Sequence, residues 1–144
     1  MKFLIINGPN LNLLGTREPE IYGRESLDEI MAAAADFAAE NGIQFQWVQS
    51  HHEGVLIDAI QNASGQVDGL IINPAGYGHS SVAIRDALSA VGLPTVEVHL
   101  SNLAQREEFR HRTLTADVCV GQICGFGGHG YQLAIMALKK YIGG

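Results

Sequence analysis

Short apolar runs punctuate the chain at regular intervals. Lys2–Asn7 (KFLIIN) and Asp68–Asn73 (DGLIIN) are nearly continuous in aliphatic residues, which predicts strands buried on both faces. Ile43–Gln49 (IQFQWVQ) instead alternates apolar with polar and predicts an edge strand with one covered face. Thr95–Leu100 (TVEVHL) and Val118–Ile123 (VCVGQI) complete a set of five. Between them lie longer segments with helical signals. Ser26 and Glu29 have capping-box spacing ahead of an Ala-rich run, predicting a helix from Ser26 to Asn41 that Gly42 ends. Further helices are predicted over Glu53–Ala63, from Ser80 or Ser81 to Val91 before Gly92 and Pro94, and over Tyr131–Ile142. Lys139 and Lys140 suit the negative end of that last helix. Ser101–Thr115 is polar and irregular, with one helical turn expected near Glu107–Phe109.

Strands alternating with helices imply βαβ units and a parallel sheet. Five strands in 144 residues fit the flavodoxin-like order 2-1-3-4-5 rather than the six-stranded dinucleotide fold. The expected architecture is therefore a single α/β domain over residues 1–144, a flavodoxin-like three-layer sandwich.

One connection breaks the rhythm. Asn7–Gly23 (NGPNLNLLGTREPEIYG) separates the first strand from the first helix, where α/β loops usually span ~2–6 residues. Long ordered loops are commonly functional. This one carries Asn10, Asn12, Arg17 and Tyr22, and Gly15 and Gly23 would let it hinge as a flap.

Composition narrows the function. Hydrophobic content of 47% and charged content of 17% are globular values. No apolar run approaches the ~20 residues of a membrane span. The chain opens directly on a strand, so no signal peptide and a cytoplasmic location are expected. Net charge of −6, with no basic stripe, argues against nucleic acid as a partner. Cys119 and Cys124 fit no common zinc spacing and are expected as buried free thiols. No His-Glu-x-x-His or other zinc-ligand pair occurs. Gly125-x-Gly127-x-x-Gly130 matches a dinucleotide fingerprint, but it follows the last strand and no acidic residue stands ~20 positions on. Close helix–sheet packing accounts for it better.

In open parallel sheets, ligands bind beyond the carboxyl ends of the strands. Asn10, Asn12, Arg17 and Tyr22 follow strand 1; Asn73 and His79 follow strand 3. Glu97, His99, Ser101 and Asn102 end strand 4, with Arg106 and Arg110 beyond. Strands 1, 3 and 4 are neighbours in the expected order, so these groups should converge. Glu97 and His99 are two apart and share a face, where a carboxylate could fix the imidazole tautomer. His51, His52, His111 and His129 are expected to be ordinary surface or core residues.

The motifs Asn7-Gly-Pro-Asn-Leu-Asn, Gly15-x-Arg-Glu-Pro-x-x-Tyr-Gly23, Asn73-Pro-x-Gly, His79-x-Ser, Glu97-Val-His-x-Ser-Asn102, Arg106-Glu-x-Phe-Arg110 and Gly128-x-Gly-Tyr131 together resemble type II 3-dehydroquinate dehydratase over nearly the whole chain. The resemblance implies a flavodoxin-like fold and loss of water from 3-dehydroquinate, a small anionic substrate, to give 3-dehydroshikimate. It implies no cofactor and no metal, a homododecamer built from trimers, and a place in the shikimate pathway or in quinate breakdown.

Matched motif by motif, Tyr22 resembles the base that takes a proton beside the ketone. Arg17 resembles its activator, with Arg106 a second. Asn10 resembles the residue that positions a water against the enolate oxygen. His99 resembles the acid that protonates the departing hydroxyl, held by Glu97. Asn73, Ser101 and the Leu100–Ser101 backbone resemble a carboxylate cradle; His79 and Arg110 resemble ligands of the ring hydroxyls. Asp86 is similar to a residue that reaches a neighbouring subunit's site. The family usually has Thr on the amino side of that turn's histidine and often Thr after it. Gly78 and Ser80 stand here, which puts the rigidity of the turn in question.

The chemistry is coherent by itself. A phenol titrates near ~10, and an adjacent guanidinium favours the phenolate. Hydroxide is a poor leaving group and needs a general acid. An imine route needs a lysine, and the only three, Lys2, Lys139 and Lys140, lie at the chain's two ends. A nucleotide-binding module would need a glycine-rich phosphate loop after strand 1, which Pro9 and the asparagines do not provide.

Overall fold

A computed structural model describes residues 1–144. The five strands β1 (Lys2–Asn7), β2 (Gln44–Gln49), β3 (Gly69–Asn73), β4 (Thr95–His99) and β5 (Gly121–Cys124) form one sheet in the order 2-1-3-4-5. Every pairing is parallel. The flavodoxin-like α/β sandwich is as expected.

Alternation along the strands decides which layer each residue joins. Phe3, Ile5, Ile71, Val96 and Val98 pack against α2 (Leu27–Glu40) and α5 (His129–Gly143). Ile6, Leu70 and Ile72 point the other way, onto α3 (Glu53–Asn62) and α4 (Val82–Val91). The edge strand β2 is the polar-alternating run. At the helix starts, Ser26 and Glu29 form the capping box. Ser81, rather than Ser80, caps α4 through Ile84 N at 2.9 Å.

The fifth strand departs from its expected place. Ala116–Val118 makes a 3₁₀ turn and pairing begins only at Gly121. Val118 and Cys119 spend their apolar surface on the cluster beneath α4 instead of on the sheet ladder. Both cysteines are free, and both are half-buried rather than buried. The final helix starts at His129, two residues before the expected start.

Gly125 and Gly127 of the dinucleotide-like fingerprint take positive φ, 95° and 57°, and close helix–sheet packing accounts for Gly130. A Cβ there would stand 3.2 Å from Val98 Cγ1, and one at Gly128 would meet Ile30 Cγ1 at 2.7 Å. These positions let α5 close onto the sheet and onto α2.

The long first connection is ordered. It contains a 3₁₀ turn at Leu11–Leu13 and a one-turn helix α1 (Pro19–Tyr22). Leu11 and Leu14 anchor it in the core on the α2 side. The flap thus has a buried root and a half-exposed tip carrying Arg17 and Tyr22.

Candidate active site

The carboxyl ends of β1, β3 and β4 meet at a cavity of about 130 Å³. Asn10, Arg17 and Tyr22 come from the flap, Asn73 from the last position of β3 and His79 from beyond it, His99 from the last position of β4, and Leu100, Ser101, Arg106 and Arg110 from beyond it. Ten of the expected residues therefore converge. Asn12 does not; it is exposed and off the cavity wall. Glu97 lies behind His99, fully buried. Asp86 stands on the exposed face of α4 and lines no part of this cavity.

Two arginines flank the flap tyrosine. Arg106 Nη2 donates to Tyr22 Oη at 3.1 Å, and Arg106 Nη1 donates to Ser101 Oγ at 3.1 Å. Arg17 lies over the ring instead, with Cζ 4.9 Å from its centroid. Arg106, expected as the second activator, thus makes the direct contact with the phenol oxygen. Both guanidiniums thus place positive charge beside the Tyr22 side chain, one at its oxygen and one over its ring.

At the end of β4, His99 Nε2 donates to Glu97 Oε2 at 3.0 Å. That bond leaves Nδ1 as the ring nitrogen free for a ligand. Glu97 also accepts from Thr113 Oγ1 at 2.8 Å, from Gln122 Nε2 at 2.6 Å and from Thr115 Oγ1. Burial pushes its carboxyl up, but the His99 bond, the Thr115 bond, the His99 charge and the Thr113 bond together outweigh it, and the net shift is downward. Glu97 is therefore held as a carboxylate. Thr113, Thr115 and Gln122 were not legible as site residues. Gln122 lies directly across the β4–β5 pair from Glu97, a relation that appears only once the register is known.

The second histidine is oriented by backbone. The Arg112 carbonyl can only accept, so His79 Nδ1 donates to it at 3.0 Å and Nε2 is left free. The turn around Gly78 is tied down despite its missing side chain. Leu114 N donates to Gly78 O at 2.7 Å, and Tyr77 Oη donates to His51 O at 2.7 Å. A Cβ at Gly78 would sit 2.8 Å from Pro74 Cγ, so the glycine lets this turn pack closely.

Asn73 is 2% exposed, with its Nδ2 donating to Tyr131 Oη and its Oδ1 accepting from Ala75 N. Tyr131 in turn donates to Asn7 Oδ1 at 2.6 Å. Burial raises the Tyr131 phenol well above its ordinary range, so it braces the ends of β1 and β3 as a neutral group. The backbone N–H groups of Leu100 and Ser101 have no acceptor within the protein. Two adjacent free N–H groups suit a carboxylate. One of the histidines expected to be ordinary, His51, supports the flap: at its root, His51 Nδ1 accepts from Asn10 N at 3.2 Å.

Arg110 Nε donates to Glu107 Oε2 at 2.7 Å while its side chain reaches the cavity wall. The Arg110 bond is the main reason the Glu107 carboxyl sits below its usual range. Arg110→Ala and His79→Ala should each cost about 2–3 kcal/mol of transition-state binding, the cost of leaving a polar ligand group without its partner. Comparison of kcat/KM in each variant with the parent measures this; unchanged values would place the ligand elsewhere.

No helix is long and apolar enough to cross a membrane. Comparison with known proteins gives a consistent result. A family model described as dehydroquinase class II matches residues 1–139. The chain is 53% identical over 142 residues to 3-dehydroquinate dehydratase of Geotalea daltonii, covering 99% of both chains. With the enzyme of that name from Carboxydothermus hydrogenoformans it shares 54% identity, over 99% of this chain and 92% of the other. Its fold superposes on the crystal structure of type II dehydroquinase from Butyrivibrio crossotus with a TM-score of 0.95 at 48% identity, covering 96% and 97% of the two chains.

Proposed function

The chain belongs to the class II dehydroquinase family, and from that premise we propose that it removes water from 3-dehydroquinate through an enolate, with Tyr22 as base and His99 as acid. The observation that carries this function is a single cavity lined by two devices: a phenol oxygen bonded to a guanidinium, and an imidazole bonded to a buried carboxylate.

The steps follow from those groups. The substrate carboxylate docks on the free N–H groups of Leu100 and Ser101, with Asn73 and the Ser101 hydroxyl alongside. His79 Nε2 and Arg110 hold the ring hydroxyls. Tyr22, as phenolate, takes a proton from the carbon beside the ketone. Negative charge moves to the ketone oxygen, where Asn10 positions a water as hydrogen-bond donor. His99 then gives its Nδ1 proton to the departing hydroxyl, and the carbon–oxygen bond breaks as the enolate collapses to a conjugated enone. Arg106 and Arg17 stabilise the phenolate before the first step. Glu97 stabilises the imidazolium before the second.

The assembly belongs to the same proposal. Asp86 and Val82 lie four apart on α4 with exposed side chains, Val82 57% so. Asp86 lines no part of the active-site cavity of its own chain, which fits a contribution to a neighbouring copy within a homododecamer of four trimers. The two free thiols suit the reducing cytoplasm.

Ultraviolet absorbance tests the reaction class. Purified protein given 3-dehydroquinate should generate a conjugated enone at the same rate with and without borohydride, since no lysine lines the cavity to form an imine. No enone, or inactivation by borohydride in the presence of substrate, would overturn it.

A further inference from the structure

We propose that Thr113, Thr115 and Gln122 are positioning residues for the acid: their donors to Glu97 decide that the proton shared by Glu97 and His99 resides on the histidine. This role presupposes His99 as the general acid.

A carboxylate and an imidazole with one proton between them have two states of equal total charge. One is the ion pair of carboxylate and imidazolium; the other is a protonated carboxyl beside neutral imidazole. Burial favours the neutral pair, because neither group then carries charge out of water. Glu97 is 0% exposed and His99 5%, so that bias is present here. Hydrogen bonds donated to the carboxylate favour the ion pair, because they are strongest when the acceptor is charged. Glu97 receives three from outside the pair, from Thr113, Thr115 and Gln122. Gln122 Nε2 also donates to Thr113 Oγ1 at 3.2 Å, which links two of the three. Only the imidazolium can give up the Nδ1 proton as an acid while Nε2 stays bonded to Glu97.

The same short segment organises the rest of this wall. Arg112 O orients His79, Leu114 N closes the Gly78 turn, and Leu114 O accepts from Arg85 Nη1 at 2.6 Å. Thr113 is therefore held by contacts at both of its neighbours, and Thr115 by those at Leu114 and by its own carbonyl, which accepts from Val118 N at 3.2 Å.

Other ionisable groups face the pair. The His79 ring centroid is 6.1 Å from that of His99, and Arg106 and Tyr22 line the same cavity. Cys119 and Cys124 lie on the β5 side. Burial first, and the Glu97 charge second, push their thiols up to about 12 and about 11. Both stay neutral through the working range and add no charge.

The test uses full-length protein labelled with ¹⁵N-histidine. Thr115→Val keeps the side-chain shape and removes a donor; Thr115→Ser keeps the donor. Gln122→Val changes an exposed position on the edge strand, where a β-branched residue is well tolerated. In the parent and Thr115→Ser, the His99 nitrogens should show imidazolium at neutral pH. Both valine variants should shift toward the neutral ring. Their kcat should fall roughly ten- to hundredfold, the loss of one bond to a buried charge, with KM little changed. The alkaline limb of kcat should move to higher pH. With fewer donors the bare carboxylate is less stable, so the pair holds its last proton more tightly. Should Thr115→Val fail to fold, Gln122→Val decides. An unshifted His99 signature, or a limb displaced to lower pH, overturns the proposal. Retained activity in His99→Ala would instead overturn the role of the acid itself, which the nitrogen signature does not measure.

Discussion

Tyr22→Phe should turn over 3-dehydroquinate slower by at least the ~10²–10⁴-fold typical of losing a general base. The substitution keeps the ring and removes one oxygen. Tyr22 packs against the core cluster on the α2 side, and Arg17 Cζ lies over its ring. Those contacts do not involve the oxygen, so the fold and the flap should survive. What is lost is the acceptor of the Arg106 Nη2 bond and the oxygen proposed to take the substrate proton. Substrate should still bind, because the groups assigned to its carboxylate and hydroxyls are untouched. Steady-state kinetics, with melting temperature as the control for folding, measure the effect. Turnover like that of the parent would remove the flap tyrosine from the mechanism.

His99→Ala is expected to abolish measurable turnover while leaving substrate binding detectable by calorimetry. A general acid acts mainly in the transition state, so its removal falls on kcat. Glu97 would lose one of its four donors but keep Thr113, Thr115 and Gln122. Local structure should therefore hold. Near-normal turnover would mean that another group protonates the leaving hydroxyl. His79, with its free Nε2 and its ring centroid 6.1 Å from that of His99, would be the first to examine.

Much of this site was legible because strand ends are where a parallel sheet presents polar groups. The runs ending at Asn7, Asn73 and Leu100 identified those ends, to within one residue for β4, which stops at His99, and the expected strand order placed them side by side. The two-residue spacing of Glu97 and His99 fixed their shared face. What escaped depends on distances that run through the fold. Gln122 meets Glu97 only because β5 pairs with β4 in one register. The sequence pattern began that strand at Val118, which left the register undetermined. Thr113 and Thr115 sit in an irregular segment whose path over β4 no local periodicity encodes. Tyr131 is 58 positions from Asn73 and 124 from Asn7, yet bonds both. The relative weight of the two arginines was likewise hidden. Arg17 is near Tyr22 in sequence, whereas Arg106 arrives from 84 positions away to make the direct bond.

The pH dependence of turnover in the flap variants tests the central claim most directly. Arg17→Ala and Arg106→Ala keep the base and remove charge that stabilises it, so alkali should restore part of their activity by forming the phenolate unaided. Arg106→Ala should be the more impaired at neutral pH, since it loses the hydrogen bond as well as the charge. Tyr22→Phe has no group to deprotonate and should stay inactive at every pH. Alkaline rescue of Tyr22→Phe, or identical pH–rate profiles for all three variants, would contradict a tyrosinate base.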